Sequence, residues 1–357
     1  MIKQHYLDRL WNGHLQEDFL SAYDAVGQTG IHTDTHEVEQ DILKHVNRKY
    51  CVAVANGTDA LTILLKAKNY PKGSRIVVPA YSYIATATAV KLAGHEPVYH
   101  DVNYDYQLNT KYVPFTDAVA IIVVGLFGRP TNLTGDKFHG MDIIEDAAQS
   151  FGADRGGELG IASTFSFSPT KPCPIFGSGG AIVTDDRYLA YKCRDIRRHG
   201  REYGTLGQNS LMSSMEAAQL RVCLKQKDFF QKRRKEIAKF YNDNLIHGQP
   251  EYVDGHSWSK YVVRVGNVEE LVGNNIVQLV RHYPKLLHEE TVTYAKMHHT
   301  PVAKQLSNES ISLPIDPYMM QSEMERVVEF MNKESYLISW VRQYLPHYFL
   351  ETLEKGR

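Results

Sequence analysis

The sequence has no long apolar run. Nowhere in its 357 residues do the roughly 18 uninterrupted apolar positions of a membrane-spanning helix occur, and its start, MIKQHYLDRLWNG, lacks the apolar core of a secretory signal. It has little net charge. Forty Lys and Arg against 41 Asp and Glu leave −1, with no long block of like charge, so it carries no electrostatic footprint for nucleic acid or an anionic membrane surface. Cysteine is scarce. Cys51, Cys173, Cys193 and Cys223 stand apart without a CxxC pair, which predicts reduced, partly buried thiols rather than disulfides or metal ligands. There is no GxxxxGK phosphate loop, no internal repeat and no low-complexity stretch. These absences leave a cytoplasmic enzyme or binding protein without a metal centre as the expectation.

At 357 residues the chain exceeds what one compact core usually fills, so one large and one smaller domain are expected. Its hydrophobic fraction of 43% and charged fraction of 23% are those of an ordinary globular protein. β-Rich runs bounded by Gly, Pro, Asp or Asn recur through the first half: CVAVA (51–55), RIVVPA (75–80), PVYHDV (97–102), AVAIIVVG (118–125), DIIE (142–145), TFSFS (164–168) and AIVT (181–184). Unbroken apolar stretches such as AIIVV predict strands covered on both faces, as in a largely parallel sheet. DALTILLKAK, with Leu61, Leu64, Leu65 and Lys68 at helical spacing, and SYIATATAVKLAG, ending at Gly94, predict helices between strands. The fold class is therefore α/β over about residues 30–200. MEAAQLRVCLKQKDFFQKRRKEIAKFYNDNL (215–245) reads as one long helix. The expected division is a large α/β domain over 1–245, including the N-terminal segment and that connecting helix, and a small domain over 246–357.

Four segments carry candidate chemistry. In ANGTDAL (55–61) a strand ends, Asn56-Gly57 turns, and a helix opens at Thr58 with Asp59 in its first turn. Backbone N–H groups at a helix start, with the positive end of the dipole, attract anions. Gly57 lets the chain approach closely and Thr58 offers a hydroxyl to a phosphate, although the same residues also suit a simple helix cap. In MDIIEDAAQSFGA (141–153), Asp146 directly follows an apolar strand, at the end that faces ligands in open α/β sheets. A carboxylate there can keep a pyridine nitrogen protonated. Ala147 and Ala148 are small enough for a flat ring to lie against, and Gln149 can reach a ring hydroxyl; the alternative is an Asp that caps the next turn.

The third segment, STFSFSPTKPCPIFGSGGAIVTDD (163–186), holds Lys171 in a Ser/Pro/Gly-rich loop between two strands, 25 residues after Asp146. A partly desolvated lysine forms Schiff bases with carbonyls; otherwise it is a solvated surface charge. Ser166 and Ser168 are further hydroxyl donors for a phosphate, and Gly177, Gly179 and Gly180 are expected to permit a tight turn back into the sheet. In the fourth, PAYSYIATATAV (79–90), Tyr83 lies just beyond a strand end. It can stack on a flat cofactor ring or, with Tyr81, pack at a domain edge.

In chain order, the small-residue phosphate turn, the aromatic after the next strand, Asp-x-x-Gln after a central strand and Ser-x-Ser-x-x-Lys resemble the DegT/StrS family of pyridoxal-phosphate sugar aminotransferases. VYHDVNYDYQLN (98–109), GLFGRP (125–130), RRHGRE (197–202), GQNSLMSSMEAAQL (207–220) and SLPIDP (312–317) fall in the same order, so the likeness spans about residues 30–335. It implies the aspartate-aminotransferase-like type I fold of pyridoxal-phosphate (PLP) transferases: a large, mostly parallel-sheet α/β domain plus a smaller C-terminal α+β domain. It implies that Lys171 anchors PLP and then moves a proton, that Asp146 pairs with the ring nitrogen, and that Gln149 touches the ring hydroxyl. Tyr83 would cover one ring face and Ala148 the other. Gly57, Thr58 and Ser166 would hold the phosphate, joined by Asn209 from the other subunit of a homodimer with shared active sites. Without the resemblance, Asn209 reads as a cap for a helix beginning near Ser213. The implied reaction takes an amino group from an amino acid, L-glutamate, by way of pyridoxamine 5'-phosphate, and passes it to a ketone on a nucleotide-linked deoxysugar.

The sequence departs from the family where substrate and phosphate are held. Ser168 stands at a position usually aromatic or histidine, Leu211 replaces an arginine, PCPIF replaces an Asn-Leu continuation, and Gly125 occupies a common histidine position. Cyclitols, other ketones or an aminohydroxybenzoate precursor are alternative substrates within the resemblance. A sugar dehydratase of the same fold carries histidine at the Schiff-base lysine, and a regulatory homologue without turnover would be expected to lose Lys171 or Asp146. Both residues are present.

Overall fold

The apolar runs of the first half form one sheet because neighbouring residues along each strand find apolar partners on opposite sides. The computed structural model describes residues 1–333 apart from His14, 31–34, 114–116, Asn132, His247, Gln249, Tyr252, Asn267 and 296–298. Its strands are β1 (Tyr50–Val54), β2 (Arg75–Pro79), β3 (Glu96–His100), β4 (Ala120–Val124), β5 (Lys137–Phe138), β6 (Met141–Asp146), β7 (Ala162–Ser166), β8 (Gly180–Thr184), β9 (Tyr261–Arg264), β10 (Val280–Arg281) and β11 (Ser310–Leu313). The large sheet runs β1-β8-β7-β6-β4-β2-β3, with the short β5 beside β6. Its central pairings are parallel, and β8 runs antiparallel to both β1 and β7. The mostly parallel α/β sheet expected from the sequence is thus present.

Both faces of this sheet are buried. Val52, Val54, Ile76, Val78, Ile122, Val124, Ile144 and Ile182 join one core with residues of the helices Gly57–Lys68, Ala85–Leu92 and Arg187–Ile196. The alternate residues Cys51, Ala53, Ala181 and Val183 pack with the helices His36–Leu43 and Ser214–Lys225, while Val77, Ile121, Val123 and Ile143 form a further cluster. Each fully buried Val or Ile contributes about 1.5–3 kcal/mol. The four cysteines are buried in the same cores and unpaired.

The long helix expected over 215–245 is broken at Gln226 into Ser214–Lys225 and Lys227–Asn244. Ser213 and Glu216 form a reciprocal capping box at its start. The bend at Gln226 lets the second helix serve two cores, with Phe230 in the large one and Ile237, Ala238 and Tyr241 in the small one. Neither Gly nor Pro marks the corner, so nothing local in the sequence announces it.

The small core gathers around an antiparallel sheet, β10-β11-β9, and the helix Gln321–Lys333. The N-terminal segment serves both cores: Leu10, Leu15 and Phe19 pack in the large one, as its assignment to the large domain expects, while its first residues reach the small one. Ile2 donates its N–H to Ile276 O and accepts from Gln278 N, both at 2.8 Å, and Ile2 and Tyr6 are buried there. Residues 334–357 of the expected small domain lie outside the described residues. Among the described residues no helix is long and apolar enough to cross a membrane, and no group of three or more His, Cys, Asp or Glu is placed to hold a metal.

Candidate active site

The ends of β1 and β7 meet at one glycine. Val54 and Ser166 both lie opposite Gly180, the first residue of β8. A methyl group on Gly180 would collide with Asn56 O, and one on Gly57 would lie 2.7 Å from Ser166 Cβ. None of Gly177, Gly179 and Gly180, where the chain turns back into the sheet, has a positive φ, so left-handed backbone is not what selects glycine there. They are small because Glu216, Met212 and the Asn56 backbone press against them.

This crowding fixes the start of the helix Gly57–Lys68 at the carboxyl end of the sheet. The Asn56 side chain accepts from Asp59 N at 2.8 Å, and Asn56 O accepts from Ala60 N at 3.0 Å. The N–H groups of Gly57 and Thr58, first in the helix, have no intrahelical acceptor. Both residues, with Ser166, line a cavity of about 740 Å³. The Asp59 carboxylate accepts from Ser210 Oγ at 2.6 Å and Gln208 Nε2 at 2.8 Å, holding segment 208–210 against the helix start. Asn209, between them, is exposed and is not part of this cavity wall. The cap reading of Asn209 fails, because Ser213 caps the next helix.

Asp146 ends β6, buried. Its Oδ2 accepts from Thr86 Oγ1 at 2.9 Å and its Oδ1 from Ala148 N at 3.2 Å, so it caps its own turn while facing the cavity. Burial pushes its carboxyl upward; Thr86, the Lys171 charge and the Ala148 N–H oppose that rise. A protonated ring nitrogen nearby would add a further charge favouring the carboxylate. Burial likewise pushes the Lys171 ammonium downward against the attraction of Asp146, toward the neutral amine that attacks carbonyls. The Lys171 Nζ lies 5.8 Å from the ring centroid of Tyr83.

Gln149 accepts from Phe127 N at 3.1 Å and donates from Nε2 to the Tyr283 hydroxyl at 3.0 Å, leaving its second amide hydrogen for a ligand oxygen. Tyr83, half exposed, has its ring centroid 6.0 Å from that of Tyr283. Gly57, Thr58, Tyr83, Asp146, Ala148, Gln149, Ser166 and Lys171 therefore share one cavity; Asn209 stands apart from it. An anion seat at a helix start, a buried carboxylate at a strand end, a buried lysine and an aromatic ring fit the phosphate, ring nitrogen, carbonyl and flat face of pyridoxal phosphate. Gly125 has no room for the histidine common at its position, because any side chain would meet Ser150.

Several residues of the wall escaped the sequence reading. Thr86, buried behind the wall against Asp146, lay inside a quoted segment but was hidden by its helical setting. His282 and Tyr283 follow β10, Lys260 precedes β9, and Gln4 and His5 come from the N-terminal segment. None sits at a strand-to-helix junction, and the N-terminal pair is held at the cavity by the pairing of Ile2 with residues 276–278 and by the hydrogen bonds of Gln4 to Gln278 and Ser312, far along the chain.

The family model for the DegT/DnrJ/EryC1/StrS aminotransferase family matches residues 15–332. A dTDP-3-amino-3,6-dideoxy-alpha-D-galactopyranose transaminase of Aneurinibacillus thermoaerophilus is 34% identical, over 93% of this chain and 99% of that protein. A UDP-2-acetamido-2-deoxy-3-oxo-D-glucuronate aminotransferase of Pseudomonas aeruginosa is 33% identical, over 82% of this chain and 88% of that protein. Among solved structures, NtdA of Bacillus subtilis with the cofactor PMP bound is 25% identical, with a TM-score of 0.82 over 95% of this chain and 84% of that one.

Proposed function

The chain belongs to the DegT/DnrJ/EryC1/StrS aminotransferase family, and on that premise we propose that it moves the amino group of L-glutamate to a ketone on a nucleotide-linked deoxysugar, with a second copy of the chain completing each site. It is a pyridoxal-phosphate-dependent aminotransferase. The observation that carries the proposal is the convergence of Lys171, Asp146 and the open helix start at Gly57 and Thr58 in one cavity. The dTDP- and UDP-linked sugars named for the two relatives support a nucleotide sugar as acceptor.

When bound, pyridoxal phosphate supplies an electron sink for negative charge at the amino-bearing carbon. The chain supplies the rest. Gly57, Thr58 and Ser166 seat the phosphate, and Asp146, held by Thr86, keeps the ring nitrogen charged. Lys171, whose ammonium burial disfavours, anchors the cofactor and then carries a proton at its Nζ to and from the substrate carbon. Tyr83 and Tyr283 stand side by side on the wall of this space.

The test is to mix purified protein with L-glutamate and a panel of nucleotide keto-sugars, following amino-sugar and 2-oxoglutarate by mass spectrometry. Amino-sugar formation is expected. Reaction with inositol-type ketones alone would overturn the substrate class.

A further inference from the structure

The cofactor cavity contains a second buried lysine that no motif includes. Lys260, directly before β9, is only 8% exposed. Its Nζ lies 3.0 Å from His5 Nε2 and 3.3 Å from Thr170 O, and among the described residues it makes no ion pair with a carboxylate. Two cationic side chains, Lys171 and Arg234, act on it against a single acid. The acid that acts on it, Asp316, already accepts from Tyr6 N at 3.1 Å and Tyr318 N at 3.0 Å. An ammonium buried among cations is costly to keep unless a counter-charge arrives. Its hydrogen bonds point the same way: of three N–H donors, the neutral His5 ring and Thr170 O take two, leaving one for a ligand in the cavity.

We propose that Lys260, positioned by His5, is an anion subsite that receives a carboxylate of the substrate. This rests on the aminotransferase reading of the same cavity. Lys260 Nζ is 3.3 Å from the carbonyl of Thr170, the residue next to Lys171, and both lysines line one cavity, so the subsite lies close to the reacting carbon. In an amino acid the α-carboxylate is bonded directly to that carbon. A nucleotide's diphosphate is separated from a sugar ketone by part of the sugar ring, and so fits less well. The carboxylate therefore comes from the amino donor or from an acidic sugar.

The experiment uses the holoenzyme and three probes: L-glutamate, UDP-glucuronate and UDP-glucose. Binding is measured by calorimetry and by the change in cofactor absorbance, for wild type, Lys260→Met and Lys260→Arg. Lys260→Met is expected to weaken L-glutamate about tenfold or more, as loss of a charge-assisted hydrogen bond would, while Lys260→Arg recovers part of it. Affinity of the wild type for L-glutamate should also fall as pH rises through about 7, where Lys260 loses its proton because of burial and of Lys171 and Arg234. Selective weakening of UDP-glucuronate, with UDP-glucose unchanged, would support the subsite and assign the carboxylate to the acceptor. Unaltered binding of all three probes by a Lys260→Met protein that retains its cofactor spectrum would overturn the proposal. Failure of wild type to bind either nucleotide sugar would instead count against the proposed acceptor and leave the glutamate arm decisive.

Discussion

Thr86 Oγ1 donates to Asp146 Oδ2 at 2.9 Å, joining the helix Ala85–Leu92 to the end of β6 behind the cavity wall. Because this hydroxyl offsets part of the upward push that burial exerts on Asp146, its removal raises the carboxyl further. Thr86→Val should retain cofactor and lower turnover about tenfold, with a stability loss of about 1 kcal/mol. A raised carboxyl is ionised only at higher pH, so the acid limb of the turnover–pH profile should shift upward. An unmoved limb would show that Thr86 does not tune Asp146.

Two further substitutions separate anchoring from charge. Lys171→Ala removes the covalent anchor and the proton carrier, so near-visible absorbance of the purified protein and turnover should both disappear. Asp146→Asn preserves size but removes the charge that favours a protonated ring. Cofactor should still bind, while turnover falls roughly 10²–10³-fold. Wild-type turnover in either variant contradicts the role assigned to that residue.

Seven of the eight strands of the large sheet were legible, most plainly β1, β2, β4 and β8, where burial on both faces leaves apolar runs; the two-residue β5 was not. The residues quoted for chemistry were legible because Gly57, Asp146 and Ser166 sit where those runs stop. Distant contacts left no such mark. Lys260 and Tyr283 lie in short segments of mixed composition, and His5 reaches the cavity through pairing between Ile2 and residues 276–278. The corner at Gln226 was invisible for the same reason: which core each side of the helix faces is decided by tertiary packing, not by a local breaker.

Docking of the N-terminal segment, which carries His5, should depend on acid. Glu323 accepts from Tyr6 Oη at 2.7 Å, Arg9 Nη1 at 2.7 Å and Nη2 at 2.6 Å, and Met320 N at 2.8 Å. Burial alone would raise its carboxyl, but these donors hold it at about 2. The folded value lies below the unfolded one, so the stabilisation is complete above about pH 4.5 and is lost as pH falls through about 2. Glu323→Gln should cost about 1.5–3 kcal/mol at pH 7. In thermal unfolding followed from pH 7 to pH 2, the gap between variant and wild type should close only at the acid end. A gap that stays constant to pH 2 would show that the charge on Glu323 is not its source.

Asn209 provides the test of the shared site. Ser210 and Gln208 on either side are bound to Asp59, at the start of the helix proposed to seat the phosphate, while Asn209 itself is exposed and outside its own chain's cavity. A residue held so firmly and facing outward suits contact with a second copy related by a two-fold axis, the commonest symmetry of soluble oligomers. Asn209→Asp would place a negative charge beside the partner's cofactor phosphate and should leave the homodimer nearly inactive; Lys171→Ala is inactive for want of its amine. In a mixed dimer one site combines the intact Lys171 of one subunit with the intact Asn209 of the other, and the second site lacks both. If half of the dimers are mixed after subunit exchange, activity should rise from near zero to roughly a quarter of wild type. Native mass spectrometry can establish that exchange has occurred. If mixed dimers form and activity stays at the level of the parents, Asn209 does not act across the interface.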